Sequence, residues 1–321
     1  MHDEQTATEA PAAETRADRL ARLAEMGDEA GYFEELGTRH WALFVDDGPN
    51  LLVSFVTLEQ VLAQGADGMP PCHCVARAAG WSHLCVIADG DTWYRDRRVY
   101  GYFDRLIDEG FFEDFDRVAF TGAGMGGHAA CAFSVAAPGA IVLAIAPVAT
   151  LDPAQAGWDR RHLSARRLDF RSRFGYGPDM IEGASRVFVL CDPEVDEDAM
   201  HAALYRKPFV TRLDCRHLGP APERALVEMD LLRPLIQAAC DGTLTRAGWA
   251  RMWRARHGHA GWLRNVVVKL IEGQGRVREG IFLRAALKQV PGHRRMRKRM
   301  EELDRILDRD GLRLQIGRAH V

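Results

Sequence analysis

The segment that most narrows what this 321-residue chain can fold into is RVAFTGAGMGGHAA, Arg117 to Ala130. An apolar run of strand length passes straight into a glycine-rich turn and then into small residues of helical character. Glycines at such a corner serve one of two ends. They let a ligand's phosphates approach the backbone and a helix N-terminus, or they let one residue stand on a sharp, strained turn with its side chain presented. Gly122, Gly124 and Gly127 satisfy the spacing G-x-G-x-x-G. That pattern also requires an acid about 20 residues on, at the end of the next strand, to hold a ribose. The next apolar run, Ala140 to Ala146, ends in Pro147-Val148-Ala149, and Asp152 comes too late. The dinucleotide reading therefore fails on its second requirement, and no cofactor is expected.

The flanking periodicity sets the fold class. A helix is expected over about Asp18 to Ala30, then strands at Gly31 to Leu36, His40 to Asp46 and Leu51 to Thr57. The Asp47-Gly48-Pro49 link between the last two is short, which points to antiparallel or edge pairing. Further strands follow at His83 to Ala88, Arg117 to Thr121, Ala140 to Ala146, Arg186 to Cys191 and Phe209 to Leu213. They alternate with helices at about Val99 to Glu109, Gly127 to Ala137, Glu197 to Arg206 and Pro222 to Ala239. Such alternation makes an α/β fold, a mainly parallel sheet of about eight strands covered on both faces.

The glycine corner also reads as a nucleophile elbow, Gly122-Ala123-Gly124-Met125-Gly126. With the strands around it, the stretch Gly31 to Ala239 resembles the α/β-hydrolase superfamily, whose elbow is G-x-S-x-G. The resemblance puts Gly124 at the nucleophile position, vacated of its serine, and makes the Met125 N–H an oxyanion donor. Its chain order of nucleophile, acid and histidine is met by Asp192 after the strand ending at Cys191 and by His217 after the strand ending at Leu213, with Asp196 a rival acid. A glycine attacks nothing, so the acyl-enzyme route closes unless Thr121, His128, Cys131 or Ser54 substitutes. What remains is a degenerate hydrolase-like protein that binds a ligand, or an enzyme using His217 and Asp192 as a general-base pair.

An insertion at 150–185 stands where this superfamily places a cap. It holds Arg160, Arg161, Arg166, Arg167, Arg171 and Arg173 among Trp158, Phe170, Phe174 and Tyr176. Arginines above a glycine-lined helix N-terminus favour an anion, so Arg160, Arg166 and Arg171, with Gly122, Gly126 and Gly127, are candidate contacts for a small anionic or carbohydrate-like ligand. The alternative is a solvated cap whose arginines pair with Asp159 and Asp169. Phosphoadenosine-phosphosulfate reductases, known by S-G-G-x-D-S and E-C-G-x-H motifs, are a weaker comparison. Neither motif is present, and Asp214-Cys215-Arg216-His217-Leu218 keeps only a cysteine two residues before a histidine.

Charge divides the chain. The net charge of −3 hides residues 241–321, with 19 Lys and Arg against 8 Asp and Glu, a balance of +11 that leaves −14 for residues 1–240. The boundary is expected at 240/241, between a hydrolase-like unit at 17–240 and a helical unit at 241–315. In the latter, His257-Gly258-His259 and Pro291-Gly292-His293 lie 34 residues apart, as do Trp249 and Leu283. That period resembles tetratricopeptide repeats, which imply a protein partner. The basic run His293 to Arg299 is followed at once by acids and shares an amphipathic face with Met296, Met300, Leu303 and Leu307, so nucleic acid is not expected. Residues 1–16 are acidic without an apolar core and are read as a disordered tail on a cytoplasmic protein. Residues 316–321, IGRAHV, match one frame of a common sequencing-adapter oligonucleotide, so the natural chain is expected to continue past about Gln315. Seven cysteines without CxxC spacing imply free thiols, and the adjacent Cys72, His73 and Cys74 rarely close a metal site alone. No metal and no membrane span are expected.

Overall fold

A computed structural model describes residues 15–63, 69–272, 275–289 and 291–311. Most of the tail expected at 1–16, and all of 316–321, lie outside the described residues. Thr15 and Arg16 do not belong to a tail: Thr15 caps the first helix, its side chain accepting from the Asp18 N–H while Asp18 reaches back to the Thr15 backbone.

Eight strands form one sheet: β1 Gly31–Glu35, β2 His40–Val45, β3 Asn50–Thr57, β4 Ser82–Ala88, β5 Arg117–Ala123, β6 Ile141–Ile145, β7 Arg186–Cys191 and β8 Val210–Asp214. Their order is β1-β2-β4-β3-β5-β6-β7-β8. The β1–β2 and β2–β4 pairings are antiparallel, and every pairing from β4 onward is parallel. The helices are α1 Arg16–Ala30, α2 Leu58–Leu62, α3 His73–Ala79, α4 Arg97–Asp108, α5 Met125–Phe133, α6 Pro153–Ala156, α7 Gly177–Met180, α8 Asp196–Leu204, α9 Pro222–Glu228, α10 Leu232–Cys240, α11 Arg246–Met252, α12 Ala260–Glu272, α13 Arg276–Gln289 and α14 Arg294–Arg309.

The strands are apolar on both faces because both are covered. On β5, Val118 and Phe120 enter the core shared with α4 and α5, while Ala119 faces the core built with α3 and α10. Two sequence expectations are corrected. β3 lies inside the sheet between β4 and β5, parallel to both, so it is neither antiparallel nor at an edge. The short 46–49 link suffices because β2 ends and β3 begins at the same end of β4. The link need only pass under that one strand, roughly 10 Å at a spacing of about 4.8 Å per strand, and the Ser82 hydroxyl receives the Asp47 and Gly48 N–H groups on the way. The helix expected over Pro222 to Ala239 is two, broken where Asp230 adopts a φ of +55°.

In the helical region the 34-residue period is expressed in the caps. His259 Nδ1 accepts the Trp262 N–H at 3.1 Å at the start of α12, and His293 Nδ1 accepts the Met296 N–H at 3.3 Å at the start of α14. Met296, Met300, Leu303 and Leu307 are buried on α14, which leaves the basic run on its outer side. No helix among the described residues is long and apolar enough to cross a membrane.

Candidate active-site elbow and histidine loop

β5 leads directly into α5 through Gly124, whose φ of 54° and ψ of −113° make the corner. These torsions are the sharp strand-to-helix turn of a nucleophile elbow, a region that a side chain enters only at a cost. The corner is further fixed by the Gly124 N–H donating to the Ile145 carbonyl at 2.9 Å and by the His128 N–H donating to the Gly124 carbonyl at 3.0 Å. Strand order and elbow together decide the architecture. The chain has the α/β-hydrolase fold.

The corner is open on its outer side: a Cβ added at Gly124 meets nothing within 4 Å. The neighbouring glycines do other work. A Cβ at Gly122 would strike the backbone of Gly126, and one at Gly126 would strike the Phe55 carbonyl of β3. One at Gly127 would lie 3.0 Å from the Ile145 carbonyl of β6. Those three let α5 press against three strands, and with Gly124 making the corner they account for the G-x-G-x-x-G spacing without any nucleotide. Met125 opens α5, so its N–H has no acceptor within the helix. Its sulfur accepts the Trp93 N–H at 2.9 Å. Trp93 is buried with Val148, Leu151, Ala165 and Phe170 beside the elbow.

None of the alternative nucleophiles is available. The Thr121 hydroxyl donates to the Leu143 carbonyl, Ser54 is sealed against His83 Nε2 at 2.8 Å, and His128 Nδ1 bonds the Val148 carbonyl. Cys131 is fully buried, and burial pushes its thiol up to about 12.

His217 follows β8 in the left-handed region, at a φ of +70°. For a residue with a Cβ this costs about 1–3 kcal/mol and persists only where the surroundings fix it. Asp192, expected as its partner, is buried and spends both oxygens on backbone. Oδ1 accepts the Glu194 N–H at 3.0 Å and Oδ2 the Gly219 N–H at 2.8 Å. The acid beside the imidazole is Glu194, whose Oε2 lies 3.1 Å from His217 Nδ1 in ion-pair contact, off the angle of a hydrogen bond. The rival Asp196 begins α8. Sequence reasoning missed Glu194, although an Asp followed by Pro and two residues before another acid is typical of a side chain that folds its own turn. After Gly219 the chain reaches Glu223, which accepts from Gln60 of α2 at 3.2 Å. β7 and β3 stand about three strand spacings apart, roughly 14 Å, with β6 and β5 between them.

The cap arginines divide. Arg166 donates to the carbonyls of Ala156, Gly157 and Asp159, and Arg173 grips Asp104 through both nitrogens. Arg171 is largely exposed and sits 3.4 Å from Asp152, and Arg160 is exposed. The Asp169 carboxylate accepts from the backbone of Arg171 and Ser172, while its carbonyl takes the Arg95 guanidinium. The expected pairing of a cap arginine with Asp159 is present, but buried and extended to His201 and Asp198 of α8. Asp159 receives Arg161 and, at 3.0 Å, His201 Nε2, while Arg161 also donates to Asp198 at 2.6 Å. Burial opposes ionisation of Asp159, but the hydrogen bonds and charge of Arg161 hold its carboxyl well below the usual range. Burial lowers His201 to about 4, and Asp159 only partly opposes it. The network ties the cap to α8. Two clefts open on the cap, one of about 580 Å³ lined by Asp152, Phe170, Arg171 and Tyr176, the other of about 700 Å³ between Arg95, Arg97, Tyr100 and Arg173.

No family model matches the chain, and no curated protein matches it at a significant level. Among solved structures it is similar to an esterase of Pyrobaculum calidifontis, with 12% identity, 72% of this chain and 90% of that one covered, and a TM-score of 0.44. It is also similar to the capsule O-acetyltransferase of Neisseria meningitidis serogroup A, with 13% identity, 63% and 93% covered, and a TM-score of 0.39. A third is the glycosylation-associated Gap123 complex of Streptococcus agalactiae, with 15% identity, 58% and 42% covered, and a TM-score of 0.39. The fold assignment stands on the chain's own strand order and elbow torsions.

Proposed function

We propose that this chain is a hydrolase-like protein that forms no acyl-enzyme and binds a small anionic or carbohydrate-like ligand at the elbow and cap. The observation that carries this reading is Gly124: the corner is built, the space beside it is open, the Thr121 and Ser54 hydroxyls are hydrogen-bonded, and the Cys131 thiol is buried. A negative group there would meet the unpaired N–H groups at the start of α5, and the exposed Arg160 and Arg171 would draw it in from the cap.

The test is turnover of p-nitrophenyl acetate by the protein and by His217→Ala, with thermal shift against acetate and glucuronate. The reading expects no turnover that depends on His217 and a melting temperature that rises with ligand concentration, as binding to the folded state alone requires. Ester hydrolysis abolished by His217→Ala would overturn it. That result would support the second reading, in which His217, oriented by Glu194, activates water as a general base; the observation favouring it is a half-buried histidine held in a strained conformation beside an acid.

A further inference from the structure

We infer that the C-terminal helices are a clamp on the histidine loop, in which Trp262 and Asn265 of α12 are positioning residues that hold His217 in its left-handed conformation. The consequence for chemistry rests on the functional reading above; the clamp itself rests on geometry.

Three side chains of the helical unit take three carbonyls of the loop. Trp249 Nε1 of α11 donates to Asp214 at 3.1 Å, Trp262 Nε1 to Arg216 at 2.9 Å and Asn265 Nδ2 to His217 at 2.8 Å. Trp262 and Asn265 stand three apart, on one face of α12. Leu218, the next residue of the loop, packs against both the sheet-side core and the helical core. The Trp262 ring lies over the same loop, its centroid 6.3 Å from that of His217. α12 is in turn anchored at its start, where His259 caps it and bonds Glu228 of α9 at 2.8 Å. From the opposite side Asp192 holds the Gly219 N–H. His217 therefore has its own carbonyl fixed from α12 and the backbone two residues on fixed from β7, which is how a non-glycine residue is kept at a positive φ. Whatever shifts α12 shifts the imidazole.

Asn265→Asp keeps the side-chain shape and removes the donor, at an exposed position that folding tolerates; Trp262→Phe keeps a ring and removes the N–H. The readout is the histidine ring spectrum of the full chain by NMR, with His217 assigned as the signal lost in His217→Gln. Both variants are expected to move the His217 signal toward that of a solvent-exposed histidine and leave those of His40, His83, His128 and His201 in place. In a Gly124→Ser background, Asn265→Asp is expected to slow modification by a fluorophosphonate about tenfold or more, since small displacements of a catalytic group are costly. A His217 signal unmoved by both variants, with only a lower melting temperature, overturns the clamp. A signal that moves in a Gly124→Ser protein that is never modified upholds the clamp and removes its consequence for chemistry at the elbow, while His217-dependent ester hydrolysis by the native chain removes the functional reading, so the two fail separately.

Discussion

The elbow and the histidine loop face the same end of the sheet, yet they carry backbone strain in opposite ways. At the elbow the unusual torsions fall on Gly124, which adopts them cheaply, and the side chain that would justify strain is missing. In the loop the unusual φ falls on His217, which has a Cβ to accommodate, and the conformation is fixed by Asn265, Trp262 and Asp192. The unusual torsions are cheap at Gly124 and costly at His217. The cost at His217 is borne by the contacts that fix the loop.

The comparison sets His217 apart from the buried histidines, and the largest expected effect follows from them. Burial lowers His40 and His128 to about 4, His83 to about 3 and His201 to about 4, against about 6.5 when unfolded. Between pH 6.5 and about 4 the unfolded chain binds protons that the folded chain does not, so stability falls as pH drops through that window. Unfolding free energies from urea titrations at pH 7 and pH 5 are expected to differ by several kcal/mol, at about 1.4 kcal/mol per pKa unit; equal values would mean these rings are not sealed.

A methyl added to a packing glycine comes next. Gly126→Ala would push into the Phe55 carbonyl and is expected to cost about 3 kcal/mol by overpacking. Gly124→Ser, three residues from the β5 interior, meets open space and pays only for its torsions, about 1–3 kcal/mol. If chemical denaturation ranked Gly124→Ser as the worse, the elbow would be filled and the comparison would break. The smallest effect has the opposite sign: His217→Gly removes the left-handed cost and is expected to gain up to about 1 kcal/mol. A loss there would show that the side chain, through Glu194, stabilises more than its backbone conformation costs.

Much of the architecture was legible because alternation and small-residue turns are local signals. The strands at Arg117, Ala140 and Arg186 fall where the apolar runs place them, and the order of elbow, acid-bearing loop and histidine follows from chain order alone. What escaped was decided by contacts between distant residues. β3 sits inside the sheet because a four-residue link can pass beneath β4, which no local pattern encodes. Asp192 was the acid of choice by position, yet its carboxylate is taken by two backbone N–H groups, leaving Glu194 for His217. Of the cap arginines expected at a ligand, Arg166 is committed to carbonyls within the cap; its neighbour Arg161 joins two buried acids, Asp159 and Asp198, that lie 39 residues apart in sequence. The clamp from Trp262 and Asn265 spans the boundary that charge composition draws near residue 240, so a split by composition separates side chains that share one loop.

The most direct test of a vacated but otherwise intact elbow is intact-mass analysis after exposure to a fluorophosphonate, run on the native chain, Gly124→Ser and Gly124→Ser/His217→Gln. The account predicts no adduct on the native chain, a single adduct on Gly124→Ser, and its loss in the double variant. An adduct on the native chain would contradict it, because a nucleophile would then be present that the geometry around Gly124 does not contain.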